Sequence, residues 1–414
     1  MIPTSLRLFV PLFVLLLAAC GGPPPRAEYP PRGGVVPEPL FDDRTSTLPP
    51  TTFRRSMEAR AADFDGDADL DLLIAREEGQ NALLLNDGRG QFTDASGKLP
   101  REAVPHDHED IAVADFDRDG DIDAIVASEE GGDKDFYLND GRANFTSANG
   151  RLPQRCESNA VAAADFDSDG DVDVVFGCGG RDLLLVNDGT GHFSDEPDRL
   201  PRGANWRDVT QDVAVGDVDG DRDLDLVLGN EDDNRLLLNN GVGTFHEAPA
   251  GALPLRPWSL FSRIRGRFEE ETRNADLGDV DGDGDLDLLF SNVGWEESNN
   301  PQDRLLLNDG RGRFTDAGTG RIPQESLSTI ASCFVDVDSD GDLDILAIHT
   351  MPGEYHRLLL NSGGGAFTDA TSRHLPSSLF GDGIEAESAD FNSDGRPDVY
   401  ITGYSTNDQL LIHR

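Results

Sequence analysis

Residues 63–71 read Asp63-Phe-Asp65-Gly-Asp67-Ala-Asp69-Leu-Asp71, an aspartate at every second position. Short apolar stretches flank this ladder, Ala61-Ala62 before it and Leu72-Leu-Ile-Ala75 after it. The pattern returns from Asp115, Asp165, Asp217, Asp279, Asp336 and Asp390, with successive starts 50 to 62 residues apart. That period is the size of a propeller blade rather than of a helical solenoid repeat. Behind each ladder runs a β-branched or leucine-rich segment such as Asp123-Ala-Ile-Val-Ala127. A third segment closes on an asparagine turn, as in Leu83-Leu-Leu-Asn86-Asp87-Gly88, and a fourth opens on phenylalanine, as in Phe92-Thr93-Asp94. Short apolar runs punctuated by glycine and asparagine predict four antiparallel strands per repeat. The whole predicts an all-β chain with seven blades over residues 40–414.

The chain ends supply a second argument. The last repeat stops at Leu410-Leu411-Ile412, after its third strand. Its missing fourth strand has a match near the N-terminus, where Phe41-Asp42-Asp43 through Leu48-Pro49 parallels Phe92-Thr93-Asp94 through Leu99-Pro100. The N-terminal strand is therefore expected to complete the last blade and close the ring, which leaves no open sheet edge.

The ladders predict cation sites. Asp115-Phe-Asp117-Arg-Asp119-Gly120-Asp121-Ile-Asp123 fits D-x-D-x-D-G-x-x-D. Carboxylates at positions one, three, five and nine, with a main-chain carbonyl at seven, make an all-oxygen shell suited to Ca²⁺. Glycine at six permits the left-handed backbone of a sharp turn. Two bare carboxylates about 4 Å apart repel by roughly 4 kcal/mol at an effective dielectric near 20, so several in one loop call for a counter-ion.

These ladders resemble the FG-GAP and VCBS-type repeats, related to the propeller of integrin α-subunits. The resemblance spans about residues 40–414 and implies a propeller with up to seven Ca²⁺. It implies as ligands Asp63, Asp65, Asp67 and Asp71 in the first loop, and Asp115, Asp117, Asp119 and Asp123 in the second. Asp165, Asp167, Asp169 and Asp173 serve the third, and Asp217, Asp219, Asp221 and Asp225 the fourth. Asp279, Asp281, Asp283 and Asp287 follow in the fifth, Asp336, Asp338, Asp340 and Asp344 in the sixth, and Asp390, Asn392, Asp394 and Asp398 in the last. Ala68 and Arg222 replace the position-six glycine in the first and fourth loops, which puts their turn geometry in question. Asn392 and Pro397 mark the last loop as a weaker binder.

The N-terminus reads as an address. The apolar run Leu8 to Ala19 ends in Leu17-Ala18-Ala19-Cys20, which resembles a bacterial lipobox and implies cleavage before a lipidated Cys20. Residues 1–19 are then a lipoprotein signal peptide, and 20–39 a proline- and glycine-rich tether. Gly21 stands where an inner-membrane retention aspartate would be, so the expected location is the bacterial outer membrane, with only the lipid touching it. A formal net charge of −44 over 414 residues argues against nucleic acid and anionic membrane surfaces as partners. Cys156 and Cys178 flank one predicted hairpin and are candidates for a disulfide; Cys333, in an apolar strand, reads as a small core residue.

Recognition is expected on the face opposite the ladders. All three tryptophans, Trp206, Trp258 and Trp295, fall in loops there, with Arg263 and Arg265 in the longest one. Such aromatics either stack on a sugar or anchor a protein partner, or they plug the long loops onto the disc. His106 and His108, beside carboxylates, form a further candidate site for a ligand or a transition metal; His349 and His356 bracket another loop on the same face. No nucleophile elbow, H-E-x-x-H or phosphate-binding glycine loop occurs. The reading is a calcium-stabilised binding or adhesion module for a glycan or an envelope protein. Its alternatives are a metal-dependent polysaccharide lyase or hydrolase, and a non-catalytic envelope scaffold.

Overall fold

The structure is a computed structural model that describes residues 39–49, 55–101, 106–129, 134–153, 156–203, 209–254, 271–294, 302–323, 327–351, 354–379 and 381–414. They form seven antiparallel four-stranded sheets. In the first blade the strands Ser56–Ala62, Asp71–Arg76, Ala82–Asn86 and Phe92–Asp94 follow one another from inside to outside. The inner strands of the next three blades are His108–Ala114, Ser158–Ala164 and Thr210–Gly216. Glu271–Gly278, Thr329–Val335 and Gly383–Ala389 continue the series. Successive inner strands pack on one another, the seventh returning to the first.

Closure follows the expected route. The seventh sheet has the order Gly383–Ala389, Asp398–Gly403, Gln409–His413 and then Phe41–Asp43. Phe41 pairs with His413 and Asp43 with Leu411, so the N-terminal strand is the outer edge of the last blade. Arg414 adds an ion pair to Asp42 at 2.6 Å.

The core is divided among the seams between blades. One apolar cluster joins Leu73, Ala75 and Leu83 of the first blade to Ile111, Val126 and Tyr137 of the second. Another joins Leu184 of the third blade to Leu226, Leu228 and Leu237 of the fourth. The residue at position two of every ladder is driven into such a seam: Phe64, Phe116, Phe166, Val218, Val280, Val337 and Phe391 are all buried. That apolar side chain fixes one end of an otherwise charged loop. Cys156 and Cys178 form a disulfide within the third blade. Cys333 is half-buried, packing against a core cluster on one side and lining the central cavity on the other.

Candidate metal sites and the loop face

Each ladder connects the inner strand of a blade to the second strand, so the loops share one face of the ring. In the first, a carboxylate oxygen from each of Asp63, Asp65 and Asp71 lies within 4.8 Å of the others. Asp115, Asp117 and Asp123 converge likewise, as do Asp165, Asp167 and Asp173, and Asp217, Asp219 and Asp225. Position five stands outside these trios and is turned back on its own loop. Asp67 accepts the Asp69 N–H at 3.0 Å, and Asp119 accepts the Asp121 N–H at 3.0 Å.

Backbone donors hold the other carboxylates. Asp63 accepts N–H bonds from Gly66 at 2.8 Å and Ala68 at 2.9 Å. Position nine is buried at the start of the second strand. There Asp123 accepts the Phe116 N–H at 3.2 Å and the Asn139 N–H at 2.8 Å. Position three keeps an oxygen that nothing satisfies: Asp65, Asp117, Asp167 and Asp281 each have a buried Oδ1 with no hydrogen-bond partner. A buried carboxylate oxygen without a donor is costly, and its recurrence at one loop position fits a hard cation with oxygen ligands.

Electrostatics agree with the geometry. Burial pushes Asp71, Asp123, Asp173, Asp225 and Asp344 up to about 7 from a usual 3.8, and neighbouring ladder carboxylates push the same way against the backbone donors. Asp287 and Asp398 reach about 6 for the same reason. Without a cation these groups favour the protonated form in the folded state. The stability this gives is complete below the unfolded value of 3.8 and is lost as pH rises to about 7. Chelator-treated protein is therefore expected to melt at progressively lower temperature from pH 5 to pH 8, with a shallower slope once cation is restored. Calorimetry at matched ionic strength reads this; an ion-free melt that is flat or rises with pH contradicts it.

The loops with a substituted position six keep their shape. Ala68 and Arg222 adopt the same left-handed backbone, with φ of 73° and 79°, as Gly120 at 97°. Position four is also left-handed in every ladder, and glycine occupies it in the first and fourth loops as Gly66 and Gly220. Strain at six is thus matched by freedom at four. In the last loop Arg396 stands at position seven and pairs with Asp394 at 2.8 Å, which places a guanidinium where the other loops carry an aspartate. This adds to Asn392 and Pro397 as a reason for weaker cation binding there.

Two residue roles went unread in the sequence. The asparagine closing the third strand ties each loop to the neighbouring blade. Asn139 Nδ2 donates to the Phe64 carbonyl at 2.8 Å, and Asn187 Nδ2 donates to that of Phe116 at 2.8 Å. The same bond joins Asn239 to Phe166, Asn308 to Val218, Asn361 to Val280, and Asn86 to Phe391 across the closure. At the remaining seam His413 takes the place of asparagine, its Nε2 lying 2.7 Å from the Val337 carbonyl. The second role belongs to position seven. A Cβ at Gly189, whose φ is 75°, would lie 2.6 Å from Asp171 Oδ1, so the aspartate and the turn glycine fit only as a pair. The last ladder has Arg396 at seven instead.

The FG-GAP-like repeat model matches residues 63–126, 115–176, 165–228, 217–290 and 279–347, together more than half of the chain. The chain belongs to the FG-GAP-like repeat family. A search of curated proteins finds no match. Among solved structures, this FG-GAP-like propeller resembles BBS1N in complex with ARL6DN, at 11% identity and a TM-score of 0.57, covering 91% of this chain and 97% of that one. It also resembles a lectin of Agrocybe aegerita that recognises non-reducing terminal N-acetylglucosamine, at 20% identity and a TM-score of 0.51, covering 77% and 79%. A third is the extracellular domain of the putative hybrid two component system BT4673 of B. thetaiotaomicron, at 10% identity and 0.51, covering 90% and 39%. At such identities the likeness is one of fold, and an FG-GAP-like repeat propeller is consistent with a binding module.

On the opposite face of the FG-GAP-like chain, the described residues include only the histidines among the predicted recognition groups. Trp206, Trp258, Trp295, Arg263 and Arg265 lie outside the described residues, as does Cys20. His108 is fully buried, with Nε2 3.0 Å from Asp135 Oδ2. Against the burial that opposes it, hydrogen bonds from His108, Tyr137 and Asn149 hold Asp135 down to about 2. That ring is a packed structural element rather than part of an open ligand site. His106 meets it edge-on, with ring centroids 5.8 Å apart. His349 and His356 contact each other, the His349 N–H donating to His356 Nδ1 at 3.2 Å, and both are buried. Burial drives them down to about 4 and about 3, so they are neutral near pH 7. They belong to the sixth blade and the first pair to the second.

Proposed function

We propose that this propeller is an extracytoplasmic binding module whose blades are stiffened by calcium. The observation that carries the calcium part is the converged carboxylate trio with a buried, undonated oxygen at position three. Calcium suits it better than magnesium. The loops offer flexible oxygen donors and main-chain carbonyls, whereas magnesium demands a tight octahedron and sheds its water reluctantly.

Recognition is assigned to the face opposite the ladders. The strand ends joined by segments 204–208, 255–270 and 295–300 lie on that face, and these segments carry all three tryptophans. Aromatic segments joined to strand ends on one face of a propeller suit recognition of a glycan or a protein surface. Glycans are the first class to test, because a lectin that recognises N-acetylglucosamine shares this fold. The lipobox-like leader supports a location in the bacterial envelope, with a tether through Cys20.

A glycan array probed with the full chain in calcium tests the reading. Binding to defined glycans is expected, with at least a tenfold loss when Trp206, Trp258 and Trp295 are all changed to alanine and the melt is unchanged. An array that stays blank, or binding that survives in the folded variant, removes the tryptophan face as the recognition surface.

A further inference from the structure

The axis of the ring holds a polar cavity of about 370 Å³ lined by inner-strand residues. Its acids outnumber its bases. Among the described residues, carboxylates come from Glu58, Glu109, Asp110, Asp212, Asp276, Glu385 and Glu387, and guanidiniums from Arg60 and Arg273. The inner strand of the third blade contributes the uncharged Asn159 to this lining.

Both guanidiniums are already committed. Arg60 lies 2.7 Å from Glu58, 3.5 Å from Asp110 and 3.7 Å from Glu387. Arg273 pairs with Glu271 at 2.8 Å and donates to Gln211 at 2.9 Å. Among the described residues, Asp212, Asp276 and Glu385 make no direct ion pair, on the inner strands of the fourth, fifth and seventh blades.

Two of these carboxylates also stitch blades together. Asp212 Oδ2 accepts the Ala275 N–H of the next blade at 2.7 Å. Asp276 Oδ2 accepts the Ser332 hydroxyl of the blade after that at 2.6 Å. Glu385 accepts the Ala386 N–H at 3.0 Å and is bound to no neighbouring blade by this contact.

We propose that the channel is a pH-sensitive clamp, in which ionisation of Asp212, Asp276 and Glu385 against one another loosens the inner seams of the fourth to seventh blades. Protonated, these groups can face one another across the cavity without repulsion. Ionised, they join the charge of Glu58, Glu109, Asp110 and Glu387 with only Arg60 and Arg273 to offset it. Cys333, on the strand between Asp276 and Glu385, stays neutral because burial pushes its thiol well up. Burial and the facing carboxylates raise Asp212 to about 6 and Asp276 to about 7, and push Glu385 well above its usual range. The sign follows: this stability is complete at low pH and is lost as pH rises through 6 and 7.

The ladder carboxylates are the same in parent and variant, so their titration cancels in the difference, which isolates the channel whether or not calcium is bound. Melting temperatures of the full chain are then compared from pH 5 to pH 8.5 with those of Asp276→Asn and Glu385→Gln. Each amide mimics the neutral carboxyl. Each variant is expected to match or fall below the parent at pH 5 and to exceed it by about 3 °C or more at pH 8.5. A difference from the parent that is constant across the range in both variants overturns the clamp. Should one variant fail to fold, the crossing in the other decides.

Discussion

Removing calcium is expected to lower the melting temperature by on the order of 20 °C, and restoring it to return the full shift. At a hundredfold excess over its dissociation constant, an ion bound only by the folded state contributes about 2.7 kcal/mol. At least four loops among the described residues show the converged trio, and filled together they would supply on the order of 10 kcal/mol. In a domain of this size each kcal/mol moves the midpoint by roughly 2 °C. The effect is large because an ion-free loop keeps the charge cost of its ladder and loses the ligand that offsets it. Scanning calorimetry in excess chelator, then in calcium, reads the shift. Magnesium at the same concentration is expected to recover only a minor part.

Replacing the position-nine aspartate is the most damaging single substitution in a ladder. Asp123 is fully buried, and its two oxygens accept the Phe116 and Asn139 N–H groups. Asp123→Ala strands both donors at about 1–3 kcal/mol each and removes a cation ligand besides. The expected cost is roughly 3–6 kcal/mol, read as a lower urea midpoint in calcium. Asp119→Ala removes an exposed carboxylate from the same loop and is expected to cost about 1 kcal/mol or less. Equal costs for the two would mean that position nine is not the anchor of the loop.

The fold was legible because one local pattern repeats. The aspartate ladder marks the turn between the first and second strands, and Phe41-Asp42-Asp43 marks the displaced strand, since each feature is contiguous in sequence. The substituted position six misled because the turn has two left-handed positions. Gly66 and Gly220 at four were visible but carried no meaning until the backbone was known. The link from Asn139 to Phe64 spans 75 residues, and only its repetition in the third strands hinted at a role. The channel was hidden for a related reason: each inner strand supplies a few lining groups, so no window of sequence contains the cluster. Glu58 and Arg60, or Glu385 and Glu387, on strands otherwise rich in alanine were the available sign. His108 shows the opposite failure, because closeness to His106 in sequence says nothing about burial against Asp135.

Native mass spectrometry of the desalted chain titrated with calcium counts the ions that the ladders take up. Stepwise addition of at least four ions is expected, one for each converged trio, with the loop holding Arg396 filling last. A chain that stays ion-free at millimolar calcium while remaining folded would contradict it.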